Sequence, residues 1–200
     1  MAFYDPLVNA LSPARLKSLA NEKLTDLIEK EAVRARASLD EFQQRYPSAG
    51  PRELSQRYID AKKQMASMLG GVSGAFGVVT VPVDLVGMVY LQLALLVEVA
   101  TVFKADLRTE RGKKEVLDVF GYANGIGPVE RAGPRVLGTL ASMVLKKYGL
   151  KAFARAMPLV ASPISAYLNN QHIQKVGDSA IRHYDGWAHA QEKGKKARGS

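Results

Sequence analysis

Residues 85–103 read LVGMVYLQLALLVEVATVF, and this stretch decides the fold class. From Leu85 to Val97 every residue except Gln92 is apolar or small. No alternation of apolar and polar residues supports a strand, and the run is long for one, so it reads as a helix continuing to Phe103. A helix that is apolar on all sides must be enclosed by other helices or by lipid. A full membrane crossing needs roughly 20 apolar residues. This run is shorter, with Asp84 before it and Glu98 near its end. The longer stretch from Val72 to Phe103 would insert only with both acids neutralised or shielded. A central helix in an all-α bundle, half of a buried glycine-rich apolar hairpin, is therefore the expected architecture.

Working outward, Val72 to Val83 is small and apolar, with Gly74 and Gly77 suited to close helix approach and Pro82 as a break. Before it, Pro51 opens a helix carrying Leu54, Tyr58, Ile59, Met65 and Met68, predicted to stop at Gly70-Gly71. Earlier still, Ser12-Pro13 is a helix start, because Ser caps free N–H groups and Pro fits the first turn. Apolar residues from Leu16 to Tyr46 then recur at helical spacing, ending at Pro47-Ser48-Ala49-Gly50-Pro51. Acids on this helix, among them Glu22, Asp26 and Glu29, would repel anionic lipid, so its apolar face reads as core.

After the central stretch, Thr109 to Tyr122 forms a helix with Val116, Leu117, Val119 and Phe120 on one face, followed by an Asn124-to-Pro128 loop. Helices are expected from Arg135 to Tyr148-Gly149 and from Lys151 to Met157. Pro163 opens a last long helix through Tyr167, Ile173, Val176, Ala180, Tyr184 and Trp187. The chain thus divides into an amphipathic segment (1–50), a helical core (51–190) and a basic tail (191–200) expected to be disordered.

The formal net charge is +9, and Lys193, Lys195, Lys196 and Arg198 supply four of these charges, leaving +5 for the rest. A moderately basic body suits an anionic surface. The absence of cysteine rules out disulfides, thiolate chemistry and Cys-type metal sites. The start of the chain has Asp5 and Pro6 where a secretory signal would be basic and then apolar, so the expected location is cytoplasmic.

The chemistry-bearing motifs are few. No glycine precedes Gly-Lys-Ser/Thr, and Gly70-Gly71-Val72-Ser73-Gly74 lacks the strand that a dinucleotide fingerprint follows. His172, His183 and His189 all lie on the last helix. His172 and His183 are eleven residues apart, about 16 Å along the axis, which is too far for one metal. His189 follows Asp185 by four residues, where a hydrogen bond within the helix accounts for it. No metal, cofactor or catalytic residue is assigned. Asp84 and Glu98 share a stripe with Leu91, about 21 Å apart along the helix, too far for a paired acid and base. Asp84 can cap its helix, and Glu98 calls for an Arg or Lys partner. Outside the tail, cations are interspersed with acids and the tyrosines are scattered, so nucleic acid is not an expected partner.

Several segments in order resemble the EcsC protein family. They begin at Leu69-Gly70-Gly71-Val72-Ser73-Gly74-Ala75-Phe76-Gly77 and continue through Pro82-Val83-Asp84-Leu85 and an apolar helix with Tyr90. A helix around Leu117 to Tyr122 follows, then Pro158 to Asn170 and Val176-Gly177-Asp178-Ser179-Ala180. The similarity covers roughly residues 50 to 187, with Ser162-Pro163 standing where the family usually has a glycine. It implies a helical bacterial protein. The family is named for a gene beside an ABC transporter, and no catalytic residues carry over from it.

Three functions follow as expectations. The first is a non-enzymatic protein that binds lipid or a membrane surface through its apolar centre. Val79, Val83, Met88, Leu91 and Leu95 would then line the ligand site, Asp84 and Glu98 would bound it, and Tyr167 and Asn170 would make polar contacts. The second is an adaptor docking on a membrane protein such as an ABC transporter. The third is a hydrolase, with only Asp84, Glu98, His172 and His183 to offer.

Overall fold

The computed structural model describes residues 13–76, 81–125, 127 and 163–198, with side chains described at 22, 24–68, 87–125, 127, 170–187 and 189. Five helices and no strand occur among the described residues, so the all-α class read from the sequence holds. They are α1 (Pro13–Arg45), α2 (Pro51–Phe76), α3 (Val81–Val102), α4 (Glu110–Ala123) and α5 (Pro163–Arg198).

Three of the five begin at a proline, whose fixed φ and missing N–H suit a first helical position. Pro82 behaves the same way. It is the second residue of α3, where the break expected from the sequence becomes a helix start. The expected stop at Gly70-Gly71 is not observed, because α2 runs on to Phe76. Glycine costs a helix interior about 1 kcal/mol relative to alanine, which weakens a helix without ending it. The last helix also exceeds its expected length. It continues through 191–198, read from the sequence as a disordered tail, to Arg198. Ala190, Gln191, Glu192, Lys195, Lys196 and Ala197 are good helix formers, and the terminal cations oppose the helix dipole. The helices expected at 135–149 and 151–157 lie outside the described residues.

α3 packs against all four other helices. That is why its sequence is apolar on every side. Leu91, Leu93, Leu95, Leu96, Val97 and Val99 are each no more than 1% exposed. Burying one such side chain contributes about 1.5–3 kcal/mol. No helix among the described residues is long and apolar enough to cross a membrane.

The most extensive helix pair is α2 with α5. Four contacts set its register. Arg52 Nη2 donates to Asp185 Oδ2 at 2.5 Å, Ile59 lies against Gly177, Lys63 Nζ donates to Gln174 Oε1 at 3.1 Å, and Ser67 Oγ donates to Asn170 Oδ1 at 2.9 Å. As the α2 number rises the α5 number falls in step, so the helices are antiparallel. At Gly177 a Cβ would come within 2.4 Å of Ile59 Cγ1, so glycine permits the approach there. This glycine plays the close-packing part expected of Gly74 and Gly77, whose surroundings lie outside the described residues.

The turn from α3 to α4 is built tightly. Lys104, at φ 60°, ends α3 in the left-handed conformation, with Lys104 N donating to Thr101 O and Ala105 N to Ala100 O. These two bonds form a Schellman motif, in which glycine is the usual residue. Thr109 then caps α4: its Oγ1 accepts from Gly112 N at 3.1 Å and donates to Asp106 O at 2.8 Å.

Candidate functional site

Several polar residues of the apolar centre are held by specific partners. Glu98 accepts a hydrogen bond from Lys62 Nζ at 2.6 Å, with both side chains mostly buried. Lys62 is thus the cationic partner that a buried Glu98 required. Burial raises the Glu98 pKa, and Lys62 partly opposes the shift. Its second oxygen, Oε2, is buried without a hydrogen bond among the described residues. About two helical turns earlier, Tyr90 donates to Glu31 Oε1 at 3.0 Å, and Arg34 bonds the same carboxylate at 2.5 Å. Burial, followed by Glu31, pushes the Tyr90 hydroxyl up to about 12.

A third polar group ties α3, α4 and α5 together. Asn124, the C-cap of α4, donates through Nδ2 to Gln92 Oε1 and to Phe120 O, both at 2.8 Å. A backbone carbonyl only accepts, so the amide is oriented with Oδ1 facing His172 Nε2 at 3.0 Å. His172 therefore carries its proton on Nε2. Burial, then Lys175, lowers its pKa below the ordinary value of 6.5.

The residues proposed from sequence as ligand-lining fall into three groups. Met88, Leu91 and Leu95 belong to the continuous hydrophobic core. Glu98 and Asn170 are bound to Lys62 and Ser67. Val79 and the side chains of Val83, Asp84 and Tyr167 lie outside the described residues. None of the five whose side chains are described lines the groove that opens between α4 and α5.

That groove has a volume of about 500 Å³. α4 contributes Arg111, Lys114, Glu115, Asp118, Val119 and Tyr122, and α5 contributes Ser179, His183 and Trp187. The α5 residues are spaced by four and so lie along one face of the helix. Val119 is buried at the floor, and Tyr122, 65% exposed, stands at the mouth. The acids are already engaged. His183 Nε2 donates to Glu115 Oε1 at 2.7 Å, and Lys114 Nζ donates to Asp118 Oδ2 at 2.7 Å. Arg182 reaches the rim by donating to Ser179 Oγ at 3.2 Å. Neither Arg111 nor Arg182 forms an ion pair among the described residues.

Ser179, His183 and Glu115 invite comparison with a nucleophile, base and orienting acid. The bonds run otherwise. Ser179 Oγ donates its proton to Lys175 O at 2.9 Å, leaving none to pass to His183. His189, on the next turn, sits 3.5 Å from Asp185 Oδ2, the carboxylate oxygen that Arg52 also binds. No cluster of three or more metal-ligating side chains occurs among the described residues.

Sequence reasoning placed Trp187 on the apolar face of its helix and did not find the groove. Its signal was the spacing of Ser179, His183 and Trp187, which sets the single tryptophan in line with two polar residues. Among known proteins, no family model, no curated protein and no solved structure matches this chain.

Proposed function

We propose that this is a non-enzymatic helical protein of EcsC-like, bacterial type, which binds an anionic membrane surface peripherally at one end of its bundle. The observation that carries the reading is topological. Because α2 and α5 are antiparallel, the start of α5 lies beside the end of α2. Only residues 77–80 separate α2 from α3, a link that spans at most about 18 Å from Phe76 to Val81. Asn124, at the end of α4, bonds His172 near the start of α5. Residues 77–80 and 126–162 therefore both attach at this one end.

Their composition suits an anionic interface. Leu69 to Val86 carries one charge, Asp84, among apolar residues and glycines. Residues 126–162 combine apolar residues with Arg131, Arg135, Lys146, Lys147, Lys151 and Arg155 against a single acid, Glu130. Apolar surface together with clustered cations is the combination that holds proteins at anionic headgroups. Of the proposed contacts, Val83, Asp84 and Tyr167 belong to the same end, in the first turns of α3 and α5. The packed half of α3, from Met88 onward, is better read as scaffold than as a lipid cavity.

Co-sedimentation with vesicles tests this reading. The protein should sediment with mixed phosphatidylglycerol and phosphatidylcholine vesicles far more than with phosphatidylcholine alone. Lys146→Glu with Lys147→Glu and Lys151→Glu should abolish the difference while the helical circular dichroism is retained. Failure to sediment with either vesicle would remove the membrane from the account.

A further inference from the structure

The groove between α4 and α5 runs from Tyr122, two residues before Asn124, to Trp187, two residues beyond Asp185, where the start of α2 meets α5. We propose that it docks a partner protein through an acidic amphipathic helical segment. This inference goes beyond the membrane reading and does not rest on it.

The groove presents Val119, Tyr122 and Trp187 as apolar and aromatic residues between the two helices. A groove between two helices fits a third helix that lays its apolar face into it. Tyrosine and tryptophan offer large contact area at low cost in rotamer freedom, and both are enriched among residues that dominate interface energies.

Charge decides the sign of the partner. Each acid at the groove already accepts from a cationic or imidazole side chain, Asp118 from Lys114 and Glu115 from His183. Arg111 and Arg182 remain without acid partners among the described residues. The helix carrying Trp187 runs on to Arg198, and its last turns hold Lys193, Lys195, Lys196 and Arg198 against Glu192. An acidic segment lying along the groove and onto this extension would meet unpaired guanidinium groups and a net positive helix end. A basic segment would meet the same groups and be repelled.

Trp187 is the only tryptophan of the chain, so its emission reports on the groove directly. The probe is a synthetic helical peptide of roughly 20 residues, with Glu on one face and Leu and Phe on the other. Its control replaces every Glu with Lys. The acidic peptide should shift Trp187 emission to shorter wavelength. Arg111→Glu combined with Arg182→Glu should weaken the titration by about tenfold or more, and Tyr122→Ala should weaken it without altering the charge. Circular dichroism confirms that each variant is folded.

Equal binding of the lysine peptide would overturn the proposal, as would indifference to the arginine reversals. So would a response of Trp187 to phosphatidylglycerol vesicles but not to the peptide, which would make the groove a membrane face. If emission is already at short wavelength and iodide cannot quench it, the groove is filled by the chain's own residues and the proposal fails.

Discussion

Gly177 of α5 faces Ile59 of α2 so closely that a Cβ on the glycine would lie 2.4 Å from Ile59 Cγ1 and 2.5 Å from its Cδ1. Ile59 is fully buried, so its side chain has little room to withdraw. Gly177→Ala should therefore cost about 1–3 kcal/mol, the range for overpacking a core, despite alanine's better helix propensity. Ile59→Ala alone should cost about 2–5 kcal/mol through cavity formation. Combined, the two should cost less than their sum, since the alanine methyl occupies space that the isoleucine vacates. Urea denaturation of the four proteins checks this, and strict additivity would show that the two residues do not share that space.

The pair Lys62 and Glu98 predicts a dependence on pH. The folded-state pKa of Glu98 is raised, so the folded protein holds this proton to higher pH than the unfolded chain does. From the ordinary value of 4.5 upward, this site makes stability fall as pH rises, until the folded carboxyl has also ionised. Lys62→Met removes the opposing cation, so the fall should be larger and extend to higher pH. At neutral pH this variant should lose about 3 kcal/mol, and Lys62→Met with Glu98→Leu should regain most of it. Denaturation midpoints measured across the acid to neutral range read both effects.

His172 acts in the opposite direction. Its folded pKa is lowered, so the unfolded chain takes up the proton first as pH falls below 6.5. Stability present above that value should be lost progressively as the medium is acidified. His172→Gln should flatten this part of the profile. An unchanged slope would mean that the imidazole is no harder to charge in the folded protein.

Lys104→Gly should stabilise the protein. A non-glycine residue in the left-handed region costs about 1–2 kcal/mol, and glycine returns about half of that gain through its freer unfolded state. The expected net gain is about 0.5–1 kcal/mol, visible as a rise of a few degrees in Tm. Because Lys104 is exposed and no ion pair involves it among the described residues, no lost contact offsets the gain.

The starts of the helices were legible because Pro13, Pro51 and Pro163 carry a local signal that needs no tertiary partner. The central position of α3 was legible because uniform apolarity leaves only burial as an explanation. What escaped was set by distance along the chain. Lys62 and Glu98 are 36 residues apart, and His183 and Glu115 are 68 apart. Their pairing depends on helix register, which no local pattern specifies. The end of α2 was misjudged because glycine weighs only about 1 kcal/mol against a helix, and the end of α5 because a charged, polar tail can still be composed of good helix formers.

The α2–α5 pair joins residues 103 to 133 positions apart, as Ser67 with Asn170 and Arg52 with Asp185 show. Its closure entropy is already that of a long loop, which grows only logarithmically, by about 0.6 kcal/mol for each doubling. Residues inserted between Asn124 and Pro163 would thus add little to the cost of bringing the two helices together. The same topology makes the fold slow to complete, since α5 leaves synthesis long after α2, the helix with which it makes its largest contact. Evolution can accordingly lengthen, shorten or rewrite the stretch between α4 and α5 while the rest of the bundle is retained, so relatives of this protein should vary most in length there.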